Sequence, residues 1–398
     1  LIAGEALGAT VKIAGVVAGI VLACSLSLAE RVAAAEPAAV AYQIDAAHSG
    51  QTTQKGFKGK LKPLWTQTLG GSPSYPLIAG GYVYVTAAAS DGSGTVLFAL
   101  KKKKGQIAWQ QPIGDTYHWS AIAYDGGQVF AVNSTGLLAA YNSVTGAQNW
   151  SAQMPDIYSG ASPPTAIDGV VYVGGYENFI YAVDETTGSV LWQANVSYGG
   201  GQISSPATDG TSVFVSYPCQ YYAFSASNGQ QLWEDNEGCN GGGGATPALY
   251  NGQVFIRDQS SKNRIASAGT GQISGTFPGV NAPAFVTENS DADVVSLNGS
   301  TLTSTDASTQ ATLWTFAGDG TLSSAPIVVS GYVIEGSGSG DLYVVNAATG
   351  KLVSSRNIGV AVPSPEEGYY GAPLTGLAAG MGMLVVPAGN EVFAFTLK

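Results

Sequence analysis

One pattern limits what this chain can fold into more than any other: an apolar run, a Gly turn and a strand closing on Trp, repeated about every 40 residues. Its clearest copy is Ile180-Tyr181-Ala182-Val183-Asp184-Glu185-Thr186-Thr187-Gly188-Ser189-Val190-Leu191-Trp192. The closing position is held by Trp65, Trp109, Trp150, Trp192, Trp233 and Trp314, by Gly275 where a Trp is missing, and by Ser354. Successive positions lie 39 to 44 residues apart, the period of a β-propeller blade. Pro76, Pro164, Pro206, Pro247, Pro283, Pro326 and Pro373 open seven of the eight units, and Ser120-Ala121 stands in the other. Pro is tolerated at the first residue of a strand because its missing N–H need not join the ladder. Four short strands per unit, rich in β-branched and aromatic residues, are expected.

A chain of 398 residues would ordinarily suggest two or three domains. Eight units of this period need roughly 330 residues, so the reading is one all-β, eight-bladed propeller over 61–398, with seven blades as the alternative. The irregular units are the fifth, which lacks its Trp, and the sixth, where Gln310 replaces the turn Gly. Lys62-Pro63-Leu64-Trp65 is a fourth strand with no blade before it, and the unit after Pro373 lacks a fourth strand. The N-terminal strand is therefore expected to complete the last blade and close the ring, leaving no open edge. Residues 42–60 read as a lead-in across the side or mouth of the ring.

Residues 1–41 read as a targeting segment. Lys12 precedes an apolar run, 13–23, of the length of a signal-peptide core. Ala33-Ala34-Ala35 and Ala39-Val40-Ala41 are cleavage candidates, Val21-Leu22-Ala23-Cys24 is a lipobox-like rival with Cys24 as the lipidated residue, and a retained anchor is a third reading. Export, to the periplasm, the cell envelope or beyond, is expected under all three. The net charge of −11 and the lack of a basic stripe exclude a nucleic-acid partner. The one basic run, Lys101–Lys104, falls on a hairpin tip and reads as solvated, with a lipid-headgroup contact as the alternative.

In a propeller, the links between blades share one face with the links between second and third strands. These links carry Tyr75, Tyr117, His118, Trp119, Tyr158, Tyr198, Glu366, Glu367, Tyr369 and Tyr370. Aromatic residues beside glycines around a central mouth make a candidate rim for a ligand or a partner; the competing reading is that they pack on their own loops. The six repeated Trp residues read instead as blade-to-blade packing. Cys219 and Cys239 fall on the same rim 20 residues apart, which favours a disulfide in an exported chain. Only two His exist, His48 and His118, so neither a Ser/His/Asp set nor a metal cluster is suggested. No catalytic residue is assigned.

Tyr181-Ala182-Val183-Asp184 with Thr187-Gly188 and Leu191-Trp192, Ala140-Tyr141 with Thr145-Gly146 and Trp150, and Tyr343-Val344-Val345-Asn346 with Thr349-Gly350 resemble the repeat of the pyrroloquinoline-quinone-like propellers. The likeness spans about residues 60–398. That family holds quinoprotein dehydrogenases, which use the quinone with Ca²⁺, and non-enzymatic propellers, among them the lipoprotein of the outer-membrane β-barrel assembly machinery. The resemblance to the dehydrogenases falters: no Cys-Cys pair and no Cys-x-x-Cys-His haem site are present. What the resemblance implies is a monomeric, non-enzymatic scaffold without cofactor that binds another exported or membrane protein. A quinone dehydrogenase using PQQ with Ca²⁺, or a sensor domain, is the alternative.

Overall fold

The computed structural model describes residues 37–114, 121–155, 157, 160–175, 178–196, 204–217, 220–236, 245–257, 263–286, 293–367 and 373–398. The chain divides between Ala35 and Glu36, and the described residues all belong to the second unit. They form eight antiparallel sheets, one per repeat, giving an eight-bladed propeller. Blades 1 to 7 span 77–112, 121–153, 165–195, 207–236, 248–276, 284–316 and 327–357. Blade 8 takes three strands from 378–397 and its fourth from Leu61–Thr68, which runs antiparallel to Glu391–Leu397 with Leu61 opposite Leu397.

Blade 3 shows why the repeat folds as it does. Asp168-Gly169 joins the first two strands with both residues at positive φ, 52° and 87°, the tight hairpin turn that Gly favours. At the outer turn, Asp184 Oδ1 accepts the backbone N–H of Thr186 and Thr187, at 3.0 and 2.8 Å, and the Thr187 hydroxyl at 2.9 Å. This Asx turn is the reason for the Asp-x-x-Thr spacing. Gly188 follows at φ 73°. The fourth strand then carries one extra residue: Val183 faces Val190 and Ala182 faces Trp192, so Leu191 is a bulge. A bulge bends the strand and re-aims the next side chain, here the indole.

Each indole reaches the following blade. Trp65, Trp109, Trp150, Trp192, Trp233 and Trp314 donate through Nε1 to the carbonyls of Lys102, Ser143, Glu185, Ala226, Ala268 and Ala347, at 2.7–3.0 Å. The turn glycine of that next blade must be bare. A Cβ on Gly188 would lie 2.6 Å from the Trp150 ring, and one on Gly229 2.6 Å from Trp192.

The two exceptions explain each other. A Cβ on Gly275 would lie 2.5 Å from Gln310 Nε2, so the Gln310 side chain occupies the place of the missing indole. Blade 7 ends on Ser354 because blade 8 has no turn between third and fourth strands. The lead-in fills that gap, and Ser354 Oγ donates to Gly59 O at 2.6 Å.

Second and third strands are buried on both faces, as sheets stacked around an axis require. Val171 and Val173 pack with Phe130, Val132 and Leu138 of blade 2. Tyr172 and Ile180 pack with Val213 and Val215 of blade 4. Alternate residues thus serve opposite neighbours.

Residues 42–54 do not lie across the side or mouth; only 55–60 cross to the outer edge of the ring, where Lys58 N and Lys60 N donate to Lys398 O. The segment 37–54 runs along the axis and bonds to the inner strands. Gln51–Thr52 adds a parallel fifth strand inside Ile327–Val329 of blade 7. Ala39 exchanges bonds with Ile78 of blade 1, Tyr124 N of blade 2 donates to Val40 O, and Thr208 N and Leu249 N of blades 4 and 5 donate to Ala46 O and Ala47 O. Inner strands present unpaired N–H and C=O groups to the axis, and a buried group without a partner is costly. The chain supplies its own partner.

Candidate functional site at the mouth of the ring

The mouth lies where the inner strands begin. Ser74, Ser162 and Ser324 each sit two residues before the blade's opening Pro and are buried. Their hydroxyls accept the backbone N–H of Thr86, Gly174 and Gly336, at 2.8–2.9 Å. The Pro that starts the strand has no N–H, and this side-chain bond extends the pairing beyond it. Tyr75 lies among these residues, 1% exposed. Its hydroxyl donates to Ile122 O at 2.5 Å and accepts Ile122 N–H at 3.1 Å, tying blade 1 to blade 2.

Beneath the mouth sits the tip of the axial segment. Gln43 Nε2 donates to the carbonyls of Ala282 and Pro326, at 3.2 and 3.3 Å, bridging blades 6 and 7. Gln43, Ile44 and His48 all take positive φ, 52°, 80° and 52°, unusual for non-Gly residues and above all for β-branched Ile. His48 is fully buried. Its Nδ1 lies 2.6 Å from Tyr42 O, and its Nε2 3.1 Å from Pro206 O and 3.3 Å from the Thr165 hydroxyl. Two carbonyls on one ring favour the imidazolium. Burial opposes it and wins, lowering the pKa to about 4.

A pH dependence follows. The unfolded His48 takes up a proton near its ordinary value of 6.5 and the folded one only near 4, so the unfolded state binds more protons between those values. Stability should fall as pH drops from 6.5 to 4, by up to about 3 kcal/mol from this group. Buried carboxyls act oppositely: burial, with Asp125 alongside, pushes Glu185 up to about 8, so it stabilises as pH falls. The His48→Asn difference isolates the His term. Urea unfolding of both proteins across this range should show wild type losing stability relative to the variant as pH falls; parallel curves would refute the assignment.

A charged pair closes the mouth. Arg257, at the end of the second strand of blade 5, donates to Val280 O at 2.9 Å and Thr246 O at 3.2 Å, and pairs with Glu367. Glu367 belongs to the long link between blades 7 and 8, so this link straps across the axis. Both side chains are buried, at 4% and 8% exposure. The Tyr42 hydroxyl, buried below, lies close to Glu367 but outside hydrogen-bonding geometry. Burial first, and then the Glu367 charge, push its pKa well above the ordinary range. In blade 7, Glu335 is fully buried, with Oε1 accepting the Ser324 hydroxyl at 2.9 Å and Oε2 unbonded. Burial pushes its pKa well above the usual carboxylate range.

Of the residues expected on the rim, Glu366 is exposed while Glu367 and Tyr75 are buried. Tyr117, His118, Trp119, Tyr158, Tyr198, Tyr369 and Tyr370 lie outside the described residues, as do Cys24, Cys219 and Cys239. Sequence reasoning missed Tyr42, Arg257 and Glu335. Arg257 carried a signal: it is one of four Arg residues in the chain, at a repeat position where other blades have Thr86, Gly174 and Gly336. Among the described residues, no group of three or more His, Cys, Asp or Glu is arranged to hold a metal ion. The axial carboxylate Glu367 is taken by Arg257.

Fold and mouth together define an eight-bladed propeller of the pyrroloquinoline-quinone-like repeat class, with its axis filled by its own chain. The profile of one family within that class matches residues 62–202 and 176–368. The chain belongs to that family, outer membrane protein assembly factor BamB.

It is 32% identical over 110 residues to the outer membrane protein assembly factor BamB of Moranella endobia, covering 26% of this chain and 28% of that one. It is also 28% identical over 156 residues to the quinoprotein alcohol dehydrogenase PedH of Pseudomonas putida, covering 33% and 25%. These matches span 28% and 25% of the two relatives' lengths. BamB from Moraxella catarrhalis superposes with a TM-score of 0.66 at 18% identity, over 85% of this chain and 100% of that one. A europium-containing methanol dehydrogenase superposes with 0.65 at 14%, over 91% and 98%. At such identities the structural likeness speaks for the fold.

Proposed function

We propose that this chain is an exported, non-enzymatic scaffold of the cell envelope that holds a partner protein on its loop-rich face. The observation that carries the reading is the filled axis. Residues 37–54 bond to the inner strands, and Arg257–Glu367 bridges the mouth above them. What remains for recognition is the rim of links around that mouth, a protein-sized surface rather than a cleft. Membership of an assembly-factor family supports it. The partner is another exported or membrane protein. A Cys219–Cys239 disulfide is part of this reading: Gln220, next to Cys219, is the register partner of Asn236, three residues before Cys239. Cys24 is the candidate lipidation site.

A photo-crosslinking residue placed at exposed Glu366, in cells that make the full chain, tests this. The expected result is one dominant protein adduct, absent when the label sits on a tight turn of the opposite face, for example at Thr186. Equal labelling from both faces would overturn the reading. So would a large rise in melting temperature with PQQ and Ca²⁺, the ligand-linkage signature of an enzyme.

A further inference from the structure

The tight-turn face, opposite the mouth, is divided by charge. At blades 2 to 4 its turns carry Asp125, Asp168, Asp184 and Asp209. At blades 7, 8 and 1 they carry lysines and, among the described residues, no Asp or Glu: the run Lys101–Lys104, with Lys58, Lys60, Lys351 and Lys398. All are exposed except Lys102, which is half-buried. They come together because the ring closes there. Lys58 N and Lys60 N both donate to Lys398 O, at 2.9 and 3.1 Å. Gly59, between them, accepts Ser354 Oγ from the strand that follows Lys351. Lys102 accepts the Trp65 indole on its carbonyl and sets its ammonium 2.6 Å from Met381 O.

Met381 also holds Pro37, the first described residue: its N–H donates to Pro37 O at 2.8 Å. We propose that the tight-turn face of blades 7, 8 and 1 docks on the anionic headgroups of a lipid bilayer and turns the mouth away from it. Clustered lysines are the arrangement that an anionic leaflet attracts. The whole molecule, at −11, is repelled by such a surface. The patch attracts only within about a Debye length, ~8 Å at physiological salt, so it selects this one orientation. The proposal needs no rim partner: it can fail while the Glu366 crosslink succeeds, and the reverse.

Sedimentation of the full chain with vesicles tests it. Phosphatidylcholine vesicles report contact that needs no headgroup charge. Adding phosphatidylglycerol should strengthen binding, and salt should reverse the gain. The variant K58E/K60E/K103E/K104E should lose that gain by more than about a hundredfold, on the scale of roughly fivefold per lysine near an anionic leaflet, with phosphatidylcholine binding unchanged. The matching Lys→Arg variant should keep it, which separates lost charge from lost fold. Equal binding to both vesicle types, or a Glu variant that binds like wild type, overturns the proposal. Patch-dependent retention of polyglutamate or DNA without retention of the phosphatidylglycerol vesicles overturns it too, in favour of an acidic macromolecule.

Discussion

Arg257→Met should cost about 3–5 kcal/mol of unfolding free energy, the usual scale for stranding one partner of a buried ion pair. Glu367 would be left 8% exposed with no cation beside it. The double variant R257M/E367M should recover most of the loss, because two apolar side chains of similar volume remove the desolvation problem. Recovery in the double variant separates this account from a packing defect, which a second substitution in the same place would deepen. Urea titrations with unchanged slope would measure it. A single variant within about 1 kcal/mol of wild type at neutral pH, near the value of an exposed pair, would mean that the strap across the mouth is held by something else.

The second large effect concerns the paired irregularity in blades 5 and 6. Gly275→Trp alone should destabilise by about 1–3 kcal/mol, the range for overpacking, because Gln310 already fills the space: it lies 2.5 Å from where the new Cβ would go. Gln310→Gly alone removes that filler and the Thr276–Gln310 contact at 3.3 Å, but relieves a non-Gly residue at φ 61°. The two changes together restore the Trp-on-Gly contact of the other blades. The double-mutant cycle should show a favourable coupling of about 1–3 kcal/mol. Additive effects, with no coupling, would show that the two positions diverged independently.

That pair also shows what was legible in the sequence. Trp, the turn Gly, the opening Pro and the Asp-x-x-Thr turn each serve a local need of one blade, so they recur and can be counted. The closing strand was legible because an orphan fourth strand at one end matches a missing one at the other. Gln310 and Gly275 read as two separate losses because their compensation runs between blades. Residues 42–60 were harder still. Their bonds go to carbonyls and N–H groups of blades far along the chain, and a backbone carbonyl carries no side-chain signature. Hence His48 and Gln43 looked like an ordinary polar lead-in. Arg257 and Glu367 lie 110 residues apart with no spacing to link them.

The axial segment has a consequence for how the protein is made. Residues 37–54 leave the ribosome before any blade, yet their partners include Val328, Ser330 and Met381, which follow only after blades 1 to 6. The axle is finished long before the wheel that must turn in around it. A nascent chain short of its last blade has neither its hub seated nor its rim latched. Assembly therefore waits on contacts between the two ends, the slow, long-range kind, and until they form the ring stays open.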